Sequence, residues 1–394
     1  MTTTPPPGRA TPGTGETGTP RIAVVGVHGH GASHVRRVSE LEARGEARLV
    51  AVVDPREPDR EALDASGATW YAHLGDLLSG PEPLPDVVVL STPIHTHLPL
   101  AQAAMEAGID VLLEKPTTAS LAEHAALVDV ARRTGRLCQV GFQTYGSHAL
   151  PAVTAMVESG EIGEVTGIGA VGAWVRTASY WARSAWAGRR HLDGHDVVDG
   201  VVTNPLAHAV ATALRIGGAR RAEDVAYVDT ELWHANPIEA DDTSSVRVVG
   251  TDGRRYGFGL TLCTDVRTAS RVIVHGTRGT ITLEYEFDRV LLRTGSVTAE
   301  KEYGRTDLLE DLLAARRTGG PLLCEVAETG AFMRVLEAVR TGPEPREIVS
   351  DDAWLEWRGT DDGRWPVIAD IESWCERVAA EQKLFSELQA PWTR

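Results

Sequence analysis

The chain has 394 residues, more than the roughly 100–200 of a single domain, and its 42% hydrophobic and 24% charged residues suit a globular protein with a sizeable core. A formal net charge of −16 argues against a binder of nucleic-acid backbones, and no apolar run approaches the ~18 residues of a membrane span. Four scattered cysteines (Cys138, Cys263, Cys324 and Cys375) show neither CxxC spacing nor a disulfide framework, so the expectation is a reducing, cytoplasmic setting without a metal centre.

Residues 1–20 are rich in Pro, Gly and Thr, have no apolar leader, and predict a disordered tail. From Arg21 the pattern changes. An apolar β-branched run, Ile22–Val25, meets Gly26, Gly29 and Gly31, and a helical stretch follows over Ser33–Arg44. Strands are predicted at Leu49–Val53, Val87–Ser91, Val111–Leu113 and Leu137–Val140, with helices at Leu98–Ala107 and Leu121–Arg133. Strands alternating with helices at this pace mean a doubly wound parallel sheet, here over residues 21–142.

The rhythm then breaks. Longer strands are predicted at Val165–Val175, Val225–His234, Ser244–Val249, Tyr256–Cys263, Arg271–His275 and Thr280–Tyr285. Turn signals such as Thr251-Asp252-Gly253 make them hairpins. Helical patterns flank them at Leu150–Ser159, Ala207–Ile216, Leu308–Arg317 and Ala327–Arg340. Residues 143–342 therefore read as an α+β domain built on a large, mostly antiparallel open sheet. Residues 343–394 form an extension ending in an amphipathic helix, Val367–Leu388, which packs back over the first domain or clasps a neighbouring chain.

Three clusters point to chemistry. The glycine turn Gly26-Val27-His28-Gly29-His30-Gly31 joins a strand to a helix, where a pyrophosphate sits on the helix N-terminus; His28 stands where the strict pattern has glycine. Asp54, 23 residues after Gly31, closes the second strand at the spacing of a carboxylate that holds ribose hydroxyls. Its charge favours NAD over NADP, although Arg56 lies two residues on. Glu114-Lys115-Pro116 follows the next-to-last predicted strand of this sheet, and a lysine at such a carboxyl end can bind a hydroxyl or handle its proton. In Asp199-Gly200-Val201-Val202-Thr203-Asn204-Pro205-Leu206-Ala207-His208, Asn204 and His208 are four apart and share a face if both lie in the helix. Histidine is the natural acceptor of an alcohol proton near neutral pH. Upstream, Trp174, Arg176, Arg183 and Trp186 supply rings and guanidinium groups suited to a sugar.

Together these stretches resemble the glucose–fructose oxidoreductase / inositol dehydrogenase (Gfo/Idh/MocA) family. The resemblance rests on the glycine turn with Gly31-Ala32-Ser33-His34, on Ser91-Thr92-Pro93-Ile94-His95-Thr96-His97, and above all on Ala107 through Glu114-Lys115-Pro116. It weakens toward His275-Gly276-Thr277-Arg278-Gly279. It implies a Rossmann domain, an NAD(P)-dependent oxidoreductase that transfers hydride between nicotinamide and a secondary alcohol of a sugar, cyclitol or similar polyol, and a homodimer or homotetramer. The implied cofactor contacts are Gly26, His28, Gly29, His30, Gly31, Asp54, Arg56, Ser91, Thr92, Pro93, His97, Glu114 and Lys115. Lys115, Asn204 and His208 are the implied catalytic set, with Asn204 where the family carries aspartate; these three join Trp174, Arg176, Arg183 and Trp186 on the substrate. Alternatives that the residues leave open are an NAD-recycling, glycoside-cleaving enzyme and a non-catalytic NAD- or sugar-binding regulator.

Overall fold

Continuous apolar runs bounded by turn residues become buried parallel strands because both of their faces must be covered. Such runs make most of a sheet of six strands, β1 (Arg21–Val25), β2 (Arg48–Val53), β3 (Thr69–Tyr71), β4 (Val87–Leu90), β5 (Asp110–Leu113) and β6 (Cys138–Val140), in the order β3-β2-β1-β4-β5-β6. Every neighbouring pair in it is parallel. The order reverses direction beside β1, which is the point where open α/β sheets receive dinucleotides. The structure is a computed structural model and describes residues 18–59, 61, 63, 66–349 and 354–393; all but the last three residues of the tail expected over 1–20 lie outside that set.

Two compact units are present: the chain up to Glu114 with Ala125–Gly141 and Leu308–Val326, and Lys115–His124 with Phe142–Asp307 and the chain from Ala327 onward. The helix Leu308–Thr318 thus returns to the first unit, where Arg316 bonds Asp86 at 2.7 Å and Asp110 at 2.6 Å. Gln139 of β6 donates to the Leu308 carbonyl at 2.9 Å. Both placements depend on side-chain pairs that are far apart in sequence.

The second unit is built on nine strands, β7 (Val165–Ala173), β8 (Val225–His234), β9 (Thr243–Gly250), β10 (Arg255–Thr261), β11 (Arg271–Gly276), β12 (Gly279–Glu284), β13 (Arg289–Thr294), β14 (Val297–Glu302) and β15 (Arg346–Glu347). Their order is β14-β13-β12-β11-β7-β10-β9-β8-β15, and the sheet is antiparallel except where β7 meets β10 and β8 meets β15. The hairpin predicted at Thr251-Asp252-Gly253 joins β9 to β10.

The C-terminal segment settles onto this same sheet. Residues predicted as one helix from Val367 divide: Trp365–Ile368 pairs with Leu355–Arg358 as a hairpin, and the helix spans Ile371–Glu381. Asp370 and Gln382, both left-handed, bound it. Ile371, Cys375, Val378, Phe385, Leu388 and Trp392 form a core with Val171 and Trp233. The extension therefore packs within the second unit. All four cysteines are buried and no disulfide joins them.

Candidate functional site

In the first unit, the turn after β1 is shaped by contacts that only glycine permits. Gly26 has φ +79°, and a Cβ there would meet the Ser91 carbonyl oxygen at 2.2 Å. A Cβ on Gly31, the first residue of helix α1 (Gly31–Ala43), would lie 1.7 Å from the Gly26 oxygen. Around Gly29 there is open space. Asp54, at the end of β2, closes the turn: its carboxylate accepts the Val27 N–H at 3.1 Å and the Arg56 N–H at 3.0 Å. His28 points toward that corner, with Nε2 3.2 Å from the Arg56 carbonyl and 3.7 Å from the Asp54 carboxylate. Its side chain stands to one side of the turn, so the departure from glycine leaves the Gly26–Gly31 cradle intact. The residues present thus fit a bound dinucleotide.

The loop Ser91-Thr92-Pro93 follows β4, and the Ser91 N–H bonds to Val25 at 2.8 Å. His97, expected at the cofactor, is buried, with Nε2 2.9 Å from the Thr92 carbonyl of this loop. It positions the loop. Glu114, also buried, faces α1: Oε1 lies 2.9 Å from His34 Nε2 and 3.4 Å from His30 Nε2. Burial pushes its carboxyl upward, but the hydrogen bonds and charge of His30 and His34 outweigh that, and the group titrates well below the ordinary carboxylate range. These three are, among the described residues, the one set of His, Cys, Asp or Glu donors gathered closely enough to hold a metal ion. The 2.9 Å contact is that of a hydrogen bond; ligands around a tetrahedral ion at ~2.0–2.2 Å stand roughly 3.3 Å apart. His34 has no role that spacing alone reveals, and it emerges as the partner that braces the Glu-Lys-Pro segment.

In the second unit, Lys115 and Asn204, 89 residues apart, meet. Lys115 Nζ donates to Asn204 Oδ1 at 2.7 Å and to its backbone oxygen at 3.1 Å. Asn204 is not part of the helix that carries His208. The helix Ala207–Ile216 starts three residues later, and the preceding turn bonds irregularly, with Asn204 N to Gly200 O and Leu206 N to Val201 O. The one-face expectation therefore does not apply, since Asn204 sits on the turn that precedes the helix. This turn is held by buried Asp241, whose backbone oxygen accepts the Val201 N–H at 2.8 Å, whose Oδ2 accepts the Val202 N–H at 3.4 Å, and whose carboxyl burial pushes up. His208, half-buried, packs edge-on against Phe142 with ring centroids 5.7 Å apart.

The aromatic segment forms a ladder of rings and guanidinium groups. Arg176 lies 4.9 Å from the Trp174 ring and 4.6 Å from Tyr180; Arg183 lies 3.7 Å from Tyr180 and 4.7 Å from Trp186. Arg183, expected on a substrate, is already engaged: its guanidinium bonds the Asp199 carboxylate at 3.2 Å. Asp199, buried, also accepts the Gly188 N–H at 2.8 Å and a hydrogen bond from Asn204 Nδ2. It was visible in the sequence as the head of the Asp199–His208 stretch, but its spacing to Lys115 was not.

Residues 20–142 match the family model described as "Oxidoreductase family, NAD-binding Rossmann fold". The chain is 35% identical over 147 residues to an inositol 2-dehydrogenase of Rhodococcus jostii, a stretch covering 37% of this chain and 39% of that protein. An uncharacterized oxidoreductase of Rhizobium meliloti is 26% identical over 344 residues, 81% of this chain and 96% of its own. Among solved structures, the WlbA dehydrogenase of Bordetella pertussis in complex with NADH and UDP-GlcNAcA superposes with a TM-score of 0.66 at 21% identity, covering 81% of this chain and 94% of that one. At that identity the likeness is one of fold. No helix among the described residues is long and apolar enough to cross a membrane.

Proposed function

We propose that the chain, whose residues 20–142 match the Gfo/Idh/MocA oxidoreductase model, is an NAD-dependent oxidoreductase of that family acting on a secondary alcohol of a sugar, cyclitol or sugar derivative. The observation that supports this most is the convergence of Lys115 on Asn204 in a unit that also presents His208 and a row of aromatic rings. In the first unit, the Gly26–Gly31 turn and the start of α1 would hold the cofactor pyrophosphate, and Asp54 the adenosine ribose hydroxyls. The Asp54 charge opposes a 2′-phosphate, so NAD is preferred to NADP. When bound, the nicotinamide supplies the hydride acceptor, or the donor in reverse. Lys115 would bond the substrate hydroxyl and stabilise its developing alkoxide, while His208 takes the proton. Trp174, Arg176 and Trp186 would hold the ring face, with Arg183 acting through Asp199. The C-terminal segment covers the middle of one face of the nine-stranded sheet, so a homodimer or homotetramer would assemble through other surfaces.

The test follows NADH absorbance with NAD⁺ or NADP⁺ and a panel of sugars, cyclitols, glycosides and sugar acids. Lys115→Ala should lower kcat about 10²-fold or more while leaving NADH affinity unchanged. Turnover near wild type in that variant would remove Lys115 from the chemistry. Silence across the panel from a chain that purifies with NAD(H) bound would favour the glycoside-cleaving, cofactor-recycling reaction instead.

A further inference from the structure

The turn before His208 holds a neutral amide where the family resemblance implies an acid, yet the site has a carboxylate nearby. Asn204 bridges two charged side chains: Oδ1 accepts from the Lys115 ammonium at 2.7 Å, and Nδ2 donates to the Asp199 carboxylate. Only this orientation of the amide presents an acceptor to the cation and a donor to the anion. The far oxygen of Asp199 is fixed by the Gly188 N–H at 2.8 Å and the Arg183 guanidinium at 3.2 Å, and Arg183 is itself stacked on Tyr180. Asp199 is buried, so its charge is poorly screened by water, whereas Arg183 is partly exposed and offsets it incompletely.

We propose that Asp199 is the acid of this site: a positioning residue whose negative charge acts on Lys115 through the Asn204 amide, replacing a carboxylate at position 204 by one placed a single amide further away. The proposal rests on the reading of Lys115 as the proton-handling lysine. A merely structural Asp199 would hold Gly188 and Arg183 and leave Lys115 unaffected. A relaying Asp199 stabilises the ammonium form and fixes its direction.

The chain has three lysines, Lys115, Lys301 and Lys383, so the reactivity of Lys115 is measurable without turnover. The full chain is labelled with trace acetic anhydride at fixed pH, and acetylation of Lys115 is read by peptide mass spectrometry against Lys301 and Lys383. Asp199→Asn should raise the relative labelling rate of Lys115 by about three- to tenfold, because loss of the charge releases more free amine. Adding Asn204→Asp to that variant returns the carboxylate to direct contact and should bring the rate back to within about twofold of wild type. An unchanged rate in Asp199→Asn, with a wild-type unfolding midpoint, overturns the proposal, as does failure of the double variant to restore it. Asp199→Ser, which keeps an acceptor for Gly188, answers the same question should the asparagine variant not fold. The two readings fail separately: silent NADH assays with labelling that follows Asp199 would reject the oxidoreductase and retain the relay.

Discussion

The seating of the C-terminal helix makes a quantitative prediction. A Cβ on Gly259 of β10 would lie 2.4 Å from the Cys375 Cα, and one on Gly257, two residues away on the same face, 2.3 Å from the Val378 oxygen. On the adjacent β7, a Cβ at Gly169 would meet the Ala379 oxygen at 2.5 Å. The helix Ile371–Glu381 therefore rests on backbone, and Gly259→Ala demands about 1 Å of movement between two main chains. Overpacking of this kind costs about 1–3 kcal/mol, and at about 2–4 °C per kcal/mol for a unit of this size the melting temperature should fall by about 2–12 °C. Gly172→Ala is the matched control on the opposite face: the nearest atoms to its Cβ would be those of the Leu206 side chain, its methyl groups at 2.4 and 2.7 Å, and a side-chain end can turn aside. Differential scanning calorimetry of both variants gives the comparison. A Gly259→Ala midpoint within 1 °C of wild type, or a loss no larger than that of Gly172→Ala, would show that the helix is not seated there.

Glu114→Gln should expose the linkage at the first unit. The Glu114 carboxyl titrates below its ordinary 4.5 in the folded chain, so its stabilisation is complete above that pH and fades as pH falls through the folded value. The stability gap between wild type and Glu114→Gln, from urea unfolding, should narrow on acidification below about pH 4.5, where both histidines are protonated and only the carboxylate titrates; a gap that widens there would refute the assignment. Asp54→Ala should cut the preference for NAD⁺ over NADP⁺, in kcat/KM, by about tenfold or more, since it removes a charged acceptor and a source of repulsion together. Gly31→Ala, with its Cβ 1.7 Å from the Gly26 oxygen, should abolish NADH fluorescence enhancement, and retained binding would mean that the cofactor does not use this turn.

Much of the first unit is readable in sequence because each strand solves its own problem locally. Val87–Leu90 is wholly apolar because both sheet faces bury it, and Gly26 must be glycine because a neighbouring carbonyl occupies the space of a Cβ. Local logic runs short where an element earns its shape from a distant one. The three residues of β3 are too few to show a period, and every residue of β14 is exposed, so neither has an apolar pattern to read. The glycines of β7, VTGIGAVGA, look like weak strand formers, yet Gly169 is required by a helix more than 200 residues away. The candidate site divides in the same way. Lys115 and His208 stand out because their neighbours form compact motifs, whereas the bond from Lys115 to Asn204 spans 89 residues and leaves no trace in spacing. Motif spacing assumes that a functional carboxylate touches its lysine directly. An asparagine between them breaks that assumption without breaking the electrostatics, because an amide has a donor at one end and an acceptor at the other and can align with the field between anion and cation. The residue that looks lost at position 204 is, on this reading, the residue that lets Asp199 act from further back.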